Sequence, residues 1–199
     1  MQEPDFSQPQ TKDAMECVRS ILKFIGEDPN REGLRDTPKR VVNAWHEHFR
    51  GYQMDPEEPL SRTFTEVEGY DEMVLLTDLD VQSHCEHHMV PFVGKAHVAY
   101  IPNGRVVGLS KLAKVVEIYS RRLQVQEKLT AQIAGAIQRC LQPMGAAVVL
   151  ECRHFCMCYR GVMQPGACTT TSKLTGIFLE NPATRAEFLK LIEMRRGGR

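Results

Sequence analysis

Leu75-Leu76-Thr77-Asp78-Leu79-Asp80-Val81-Gln82 is the stretch that decides the fold class, because Leu75, Thr77, Leu79 and Val81 alternate along it with the mostly polar Leu76, Asp78, Asp80 and Gln82. Such alternation is typical of a β-strand with one buried face. Residues 93–101 predict a second strand, which the turn signal Pro102-Asn103-Gly104 closes. Residues 146–156 and 169–178 predict a third and a fourth strand. The larger part of the chain is therefore expected to contain four strands in two pairs.

Two helices are predicted between the strand pairs. Ser110 can cap the first of them, which carries apolar residues at helical spacing. Gln126-Glu127 opens the second, which ends before Pro143-Met144-Gly145. The order is ββααββ, and short connections within strand pairs favour antiparallel pairing. The sequence therefore predicts an α+β fold and not a doubly wound parallel sheet.

Three regions are expected along the chain. Residues 1–12 are polar, contain two prolines and predict a flexible arm. Residues 13–70 predict an amino-terminal helical region, with helices from Asp13 to Gly26 and from Thr37-Pro38 onward. Residues 71–199 predict the catalytic domain, which ends in a helix that starts at Asn181-Pro182.

Bulk composition excludes several classes of function. The 199 residues carry a formal net charge of +0, so neither general nucleic-acid binding nor membrane-surface binding is expected. No apolar run approaches the roughly 18 residues of a membrane-spanning helix. The first residues lack the pattern of a secretory signal, so the seven cysteines are expected to be reduced thiols. These observations favour a cytoplasmic location.

A candidate metal site lies in Ser83-His84-Cys85-Glu86-His87-His88, read together with His154-Phe155-Cys156. Cys85 and His88 place a thiol and an imidazole three residues apart, and zinc takes both kinds of ligand. Residues two apart on a strand face the same side, so His154 and Cys156 would point together. Cys152 and Cys158 share that parity, so the residues alone leave the third ligand open among three cysteines.

Two histidines are candidates for proton transfer. His87 does not easily share a metal with its neighbour His88, because adjacent side chains diverge. An imidazole beside a metal and free of it suits a general acid or base, since its pKa lies near neutrality. His154 could serve in the same way.

Several alternative motifs fail. His84-Cys85-Glu86 fits half of a zinc nucleobase deaminase signature, but the chain contains no Cys-x-x-Cys, which also excludes a zinc ribbon. Gly108-Leu109-Ser110-Lys111 does not match a P-loop. Ser110 and Lys111 at a helix start nevertheless form a candidate phosphate site, with a plain helix cap as the alternative.

At this point the sequence resembles GTP cyclohydrolase I. The resemblance covers roughly residues 13–191, and several separated motifs agree in order and spacing. These motifs are Cys85-Glu86-His87-His88, Gly108-Leu109-Ser110-Lys111, Gln124-Val125-Gln126-Glu127-Lys128-Leu129 and His154-Phe155-Cys156. Val90-Pro91-Phe92-Val93-Gly94-Lys95 and Glu117-Ile118-Tyr119-Ser120-Arg121-Arg122-Leu123 resemble the animal-type enzymes.

The resemblance implies a tunnelling fold behind a helical amino-terminal part, which agrees with the ββααββ order. It implies a homodecamer of two pentameric rings, with active sites between subunits. The implied reaction converts GTP to 7,8-dihydroneopterin triphosphate and formate, the first step toward tetrahydrofolate or tetrahydrobiopterin. A regulatory protein and allosteric control are candidate properties of such an enzyme.

The resemblance also assigns roles to residues. It implies Zn²⁺ held by Cys85, His88 and Cys156, with an activated water that attacks C8 of guanine, and His87 and His154 as acid–base groups. Glu127 would accept hydrogen bonds from the guanine N–H groups. The other implied substrate contacts are Gln126 beside the base and Ser110, Lys111, Arg160 and Arg40 at the triphosphate. Lys114 stands where some bacterial members carry arginine, so bidentate phosphate binding is lost there.

Two further readings remain. One is another tunnelling-fold pterin or purine enzyme that recognises guanine through Glu127 without releasing formate. The other is a non-catalytic zinc-stabilised regulatory subunit, which would lack an open metal position or a usable His87.

Overall fold

The computed structural model describes residues 4–65 and 68–197. The helices are α1 (Pro9–Phe24), α2 (Thr37–His48), α3 (Leu109–Ser120), α4 (Gln126–Leu141), α5 (Phe155–Cys158), α6 (Ile177–Glu180) and α7 (Pro182–Gly197). The strands are β1 (Thr63–Phe64), β2 (Val74–Cys85), β3 (Pro91–Ile101), β4 (Val106–Val107), β5 (Leu123–Gln124), β6 (Gly145–His154) and β7 (Thr169–Leu174). Short 3-10 turns cover Glu32–Leu34, Arg50–Gln53 and Glu58–Ser61.

The main sheet has five strands in the order β5-β2-β3-β6-β7. All its pairs are antiparallel except the short β5, which runs parallel to β2. The separate pair β1–β4 is antiparallel. Along the chain β2, β3, α3, α4, β6 and β7 follow one another, so the predicted α+β class and ββααββ order are confirmed.

Both faces of the sheet are covered because successive side chains of a strand point to opposite sides. Val98 and Tyr100 of β3 belong to the larger core, which packs against α3 and α4. Ala99 and Ile101 belong to a second core. Phe178 of α6 completes that second core by packing edge-on against Phe188 of α7.

The backbone divides into two compact units, Met1–Arg50 and Gly51–Arg199. In the first unit α1 begins at Pro9, so the last four residues of the predicted arm are helical. Proline suits the first turn of a helix, where its missing N–H costs nothing. Residues 1–3 of that arm lie outside the described residues. The functional division near residue 70 stays a prediction.

Two predicted strands end earlier than the sequence indicated. β6 stops at His154, because the next residue would face Pro91, which has no N–H to give to a ladder. Cys156 therefore lies in the helical turn α5, and the prediction of a shared strand face with His154 was wrong. β7 stops at Leu174, before Gly176 takes a positive φ of 50° and leads into α6.

The predicted cap at Ser110 was also wrong. β4 pairs with β1, which keeps the chain extended up to Gly108. Gly108 is the residue that flanks α3, and its carbonyl accepts from Lys111 N–H at 2.8 Å. Ser110 lies inside the first turn, and within residues 4–65 and 68–197 no side chain caps this helix end.

Gly94 marks a close approach between β3 and β6. A Cβ at this position would lie 2.7 Å from Cys152 Cα and against the Glu151 carbonyl. Only glycine lets the two central strands meet at this spacing.

Among the described residues, none of the helices combines the length and the apolar character needed to cross a membrane.

Candidate metal and catalytic site

A tight turn between β2 and β3 carries the first two candidate ligands. Cys85, the last residue of β2, donates its N–H to the Val90 carbonyl at 2.9 Å. Its own carbonyl accepts from His88 N–H at 3.3 Å and from Met89 N–H at 2.8 Å. Met89 takes a positive φ of 52°, which reverses the chain into β3. These bonds fix Cys85 and His88 on one turn.

Cys85, His88 and Cys156 form a group that could hold a metal ion. Each offers one donor atom, and the three atoms lie within 4.8 Å of one another. Cys85 Sγ and His88 Nδ1 are 3.8 Å apart. Tetrahedral zinc with ordinary Zn–S and Zn–N bonds sets its sulfur and nitrogen ligands about 3.6 Å apart. Two thiols and one imidazole in this arrangement therefore fit zinc.

The three cysteines that the sequence left open occupy different surroundings. Cys152 lies on β6 with no exposed surface and packs into the larger core. Cys158 is buried and its Sγ lies 3.9 Å from the Pro165 carbonyl. Within the described ranges, only Cys156 joins Cys85 and His88 in a group with this donor spacing.

Without a cation, the surroundings of Cys156 favour its protonated thiol. Burial raises the pKa of the Cys156 thiol, and the nearby Cys85 thiol raises it further. The positive charge of Arg160 acts in the opposite direction on the same pKa. A divalent cation among the thiols would favour the thiolate, so metal binding would release protons.

His87 lies beside the group on an exposed position of the same turn. Its Nδ1 is 3.8 Å from Cys85 Sγ. The rings of His87 and His88 diverge, with centroids 6.2 Å apart and planes at 83°. His88 and not His87 belongs to the three-residue group. The His87 imidazole therefore lies near the candidate metal ligands without being part of that group.

His154 is held much more firmly. Its Nε2 lies 2.8 Å from Gln126 Oε1, and its ring stacks on Phe92 with centroids 4.6 Å apart and planes 9° apart. Burial lowers the pKa of His154, and the negative charge of Glu127 opposes that shift. The sequence pattern missed the Phe92 contact, which follows from the pairing of Phe92 with His154 between β3 and β6.

The candidate guanine-binding residues open α4. Gln126 is 1% exposed and its side chain is bonded within the chain. Glu127 is exposed in the first turn of the helix, where a carboxylate is favoured by the helix dipole. Lys128 Nζ lies 3.7 Å from a Glu86 carboxylate oxygen, which links the helix start to the Cys85 turn.

The candidate phosphate residues are spread more widely. Ser110 and Lys111 lie in the first turn of α3. The Arg122 carbonyl, just past the other end of α3, accepts from Ser83 Oγ near Cys85. The helical rise from Ser110 to Ser120 is about 15 Å. The structure therefore places Ser110 and Lys111 at the end of α3 away from the Cys85 turn.

The other candidate cations differ in their surroundings. Arg160 is exposed and close enough to Cys156 to affect its pKa. Lys114 is paired with Glu117 at 2.9 Å. Arg40 belongs to the first unit, on α2, and lies 3.7 Å from Asp36.

Comparison with known proteins decides the family. A model of the family described as GTP cyclohydrolase I matches residues 14–193, which is most of the chain. The chain belongs to the GTP cyclohydrolase I family. A GTP cyclohydrolase 1 from Sinorhizobium fredii (strain NBRC 101917 / NGR234) is 55% identical over 184 residues, which cover 92% of this chain and 90% of that protein. Membership in the GTP cyclohydrolase I family confirms the resemblance and makes the chain an enzyme of this type.

One solved structure, an archaeosine synthase QueF-Like in the apo form, is similar at 19% sequence identity with a TM-score of 0.44. The alignment covers 52% of this chain and 93% of that one.

Proposed function

We propose that the chain converts GTP to 7,8-dihydroneopterin triphosphate and formate in a zinc-dependent reaction. The observation that carries the proposal is the Cys85–His88–Cys156 group with His87 and His154 nearby, in a chain of this family. This activity would supply the first step of tetrahydrofolate or tetrahydrobiopterin synthesis, and the sequence leaves the pathway open. All proposed site residues except Arg40 lie within 71–199, the proposed catalytic domain.

Zinc is the proposed metal because the donor set contains two thiols, one imidazole and no carboxylate. Three protein ligands are typical of catalytic zinc sites. Zinc bound there would supply a Lewis acid and a water acidic near neutral pH. Cys85, His88 and Cys156 would orient the ion, and the turn bonds at Cys85 would hold two of the three ligands in place.

His87 and His154 are the proposed groups that move protons as the imidazole ring of guanine opens and formate leaves. His87 is exposed beside the metal ligands, so it can approach the substrate side of the site. His154 is fixed by a hydrogen bond and a stacked ring, so it would act at one defined position. Positioned general acids and bases of this kind each contribute roughly 10²–10⁴-fold in rate.

Glu127 is the residue proposed to recognise guanine. An ionised carboxylate only accepts hydrogen bonds, so it suits the N–H groups on that edge of guanine and not the edge of adenine. Its influence on the pKa of His154 supports its proximity to the reacting end of the site.

The triphosphate is proposed to bind Ser110, Lys111, Arg160 and Arg40. The three cations among them would make the field positive locally in a chain of zero net charge. Because Ser110 and Lys111 lie at the far end of α3 from Cys85, we infer that they serve the metal group of another copy. This arrangement supports the homodecamer that the family resemblance implies, with sites shared between subunits. A regulatory protein partner and the cytoplasmic location stay predictions.

The direct test measures three quantities on one purified sample. Incubation with GTP should release formate, yield a fluorescent pterin after oxidation, and require about one zinc per chain. A zinc-replete preparation that binds GTP without releasing formate would overturn the proposal in favour of another tunnelling-fold enzyme.

Sharing of sites between copies has its own test. Cys85→Ser and Lys111→Ala should each be inactive when assembled alone. Because they damage different halves of a shared site, oligomers formed from both variants should regain activity. Mixed oligomers that stay inactive would contradict the shared site.

A further inference from the structure

The side-chain amide of Gln126 has only one possible orientation. One of its terminal atoms lies 2.9 Å from the Thr169 carbonyl oxygen and 3.1 Å from the Leu150 carbonyl oxygen. Carbonyl oxygens only accept hydrogen bonds, so the atom that faces them must be the NH₂ group. Gln126 is 1% exposed, so water does not compete for these bonds.

Two threonine hydroxyls confirm this direction independently. Thr130 Oγ1 lies 2.7 Å from the Gln126 backbone carbonyl and must donate its one proton to that oxygen, which can only accept. Thr171 Oγ1, 2.7 Å from Thr130 Oγ1, must therefore donate to it. Thr171 then has no proton left for Gln126, so the group that faces it at 3.1 Å must be the NH₂, whose two N–H groups are shared among three acceptors. Both arguments direct Gln126 Oε1 toward His154.

The orientation of Gln126 determines which nitrogen of His154 carries a proton. His154 Nε2 lies 2.8 Å from Gln126 Oε1, and an amide oxygen only accepts. Nε2 must therefore be an N–H donor. A neutral imidazole carries one proton, so Nδ1 is the nitrogen without one. The stacked Phe92 ring holds the imidazole plane in this position.

We propose that Gln126 is a positioning residue that holds His154 in the Nε2–H tautomer, so that Nδ1 is the ring nitrogen left without a proton. The inference rests on the proposed function only where it gives His154 an acid–base role. A neutral amide orients the ring as a carboxylate does in a catalytic triad, without adding a negative charge.

The test compares the ring nitrogens of His154 in matched variants. Gln126→Met keeps the side-chain length but removes both the acceptor and the donors, whereas Gln126→Glu keeps an acceptor. Gln138→Met is the control, since Gln138 lies on the same helix and its Oε1 accepts from Thr175 at 2.7 Å. Solid-state ¹⁵N NMR of histidine-labelled protein distinguishes the two nitrogens, and His154→Gln identifies the signal.

We expect only the Nε2–H tautomer in the wild type, in Gln126→Glu and in Gln138→Met. In Gln126→Met, where no acceptor holds Nε2–H, we expect an Nδ1–H fraction to appear beside the Nε2–H form that a neutral imidazole ordinarily favours. In activity, Gln126→Met should lower kcat by on the order of 10²-fold with little change in KM for GTP. Gln126→Leu replaces the methionine variant if circular dichroism shows that the latter is unfolded.

Three results would overturn the inference. They are an unchanged tautomer in Gln126→Met, an equal change in Gln138→Met, or a raised KM with unchanged kcat, which would make Gln126 a substrate contact. The spectra need no turnover, so they decide the tautomer even if the wild type releases no formate and the proposed function fails.

Discussion

Replacing Cys156 and Cys158 with serine, one at a time, tests the proposed metal site most sharply. Cys156→Ser and Cys158→Ser make the same chemical change in the same short helix α5. Cys156 offers one of three donor atoms within 4.8 Å of one another, whereas Cys158 Sγ lies 3.9 Å from a carbonyl oxygen. Only the first change should affect zinc.

The magnitudes follow from these surroundings. Structural zinc sites with four ligands bind with an apparent 10–16 kcal/mol, roughly 2.5–4 kcal/mol for each ligand. A serine hydroxyl stays protonated and is a poor ligand, so Cys156→Ser should weaken zinc binding by about 10²–10³-fold. In Cys158→Ser the hydroxyl can keep the bond to the Pro165 carbonyl, so the free energy of unfolding should change by no more than about 1 kcal/mol.

The assay equilibrates each protein against a series of chelators and measures zinc per chain, followed by formate release from GTP. Circular dichroism of both variants confirms that they are folded. Full zinc retention by Cys156→Ser, at chelator strengths that strip half the zinc from the wild type, would refute the ligand assignment. Equal zinc loss from Cys158→Ser would refute it too, because the loss would then reflect damage to α5 and not to a ligand.

Three further outcomes are expected. Burial raises the pKa of Cys152 to about 12, so its thiolate fraction at pH 8 is about 10⁻⁴. Iodoacetamide should therefore label the exposed Cys17 in the folded protein, but Cys152 only after unfolding. Peptide mass spectrometry measures the labelling of both. Gly94→Ala would press a Cβ onto the backbone of β6 and should lower the free energy of unfolding, measured by urea titration, by about 3 kcal/mol. The control Gly166→Ala, which has open space around its Cβ position, should change that free energy little. Glu127→Gln should lower kcat/KM for GTP by about 10²-fold, because an amide leaves a guanine N–H group without an acceptor, while zinc content stays at the wild-type level.

Local patterns were sufficient for the parts of the molecule that depend on neighbours in sequence. Alternation over residues 75–82 predicted the strand that became β2. The opening of α4 at Gln126 was predicted equally well. In each case the signal and the structure lie within one element.

Two of the misses, the end of β6 and the start of α3, depend on residues far away in the chain. Nothing within residues 146–156 shows that β6 must stop at His154, because the cause is Pro91 on the partner strand. That early end moved Cys156 from a strand face to a helical turn, so strand parity could not choose among the cysteines. The resemblance to the GTP cyclohydrolase I family proposed Cys156, and the geometry places it with Cys85 and His88.

The same long-range pairing explains why the two histidines should have different roles. His154 is the last residue of a central strand, so the ladder fixes its backbone and places its ring on Phe92. His87 lies on a turn beyond the end of the ladder and is exposed. A ring held from both sides suits a proton transfer at one fixed atom, whereas a ring on a turn can follow a substrate that changes shape as its imidazole opens. Loss of the Gln126 bond should therefore impair His154 alone, and a variant that rigidifies the turn should impair His87 alone.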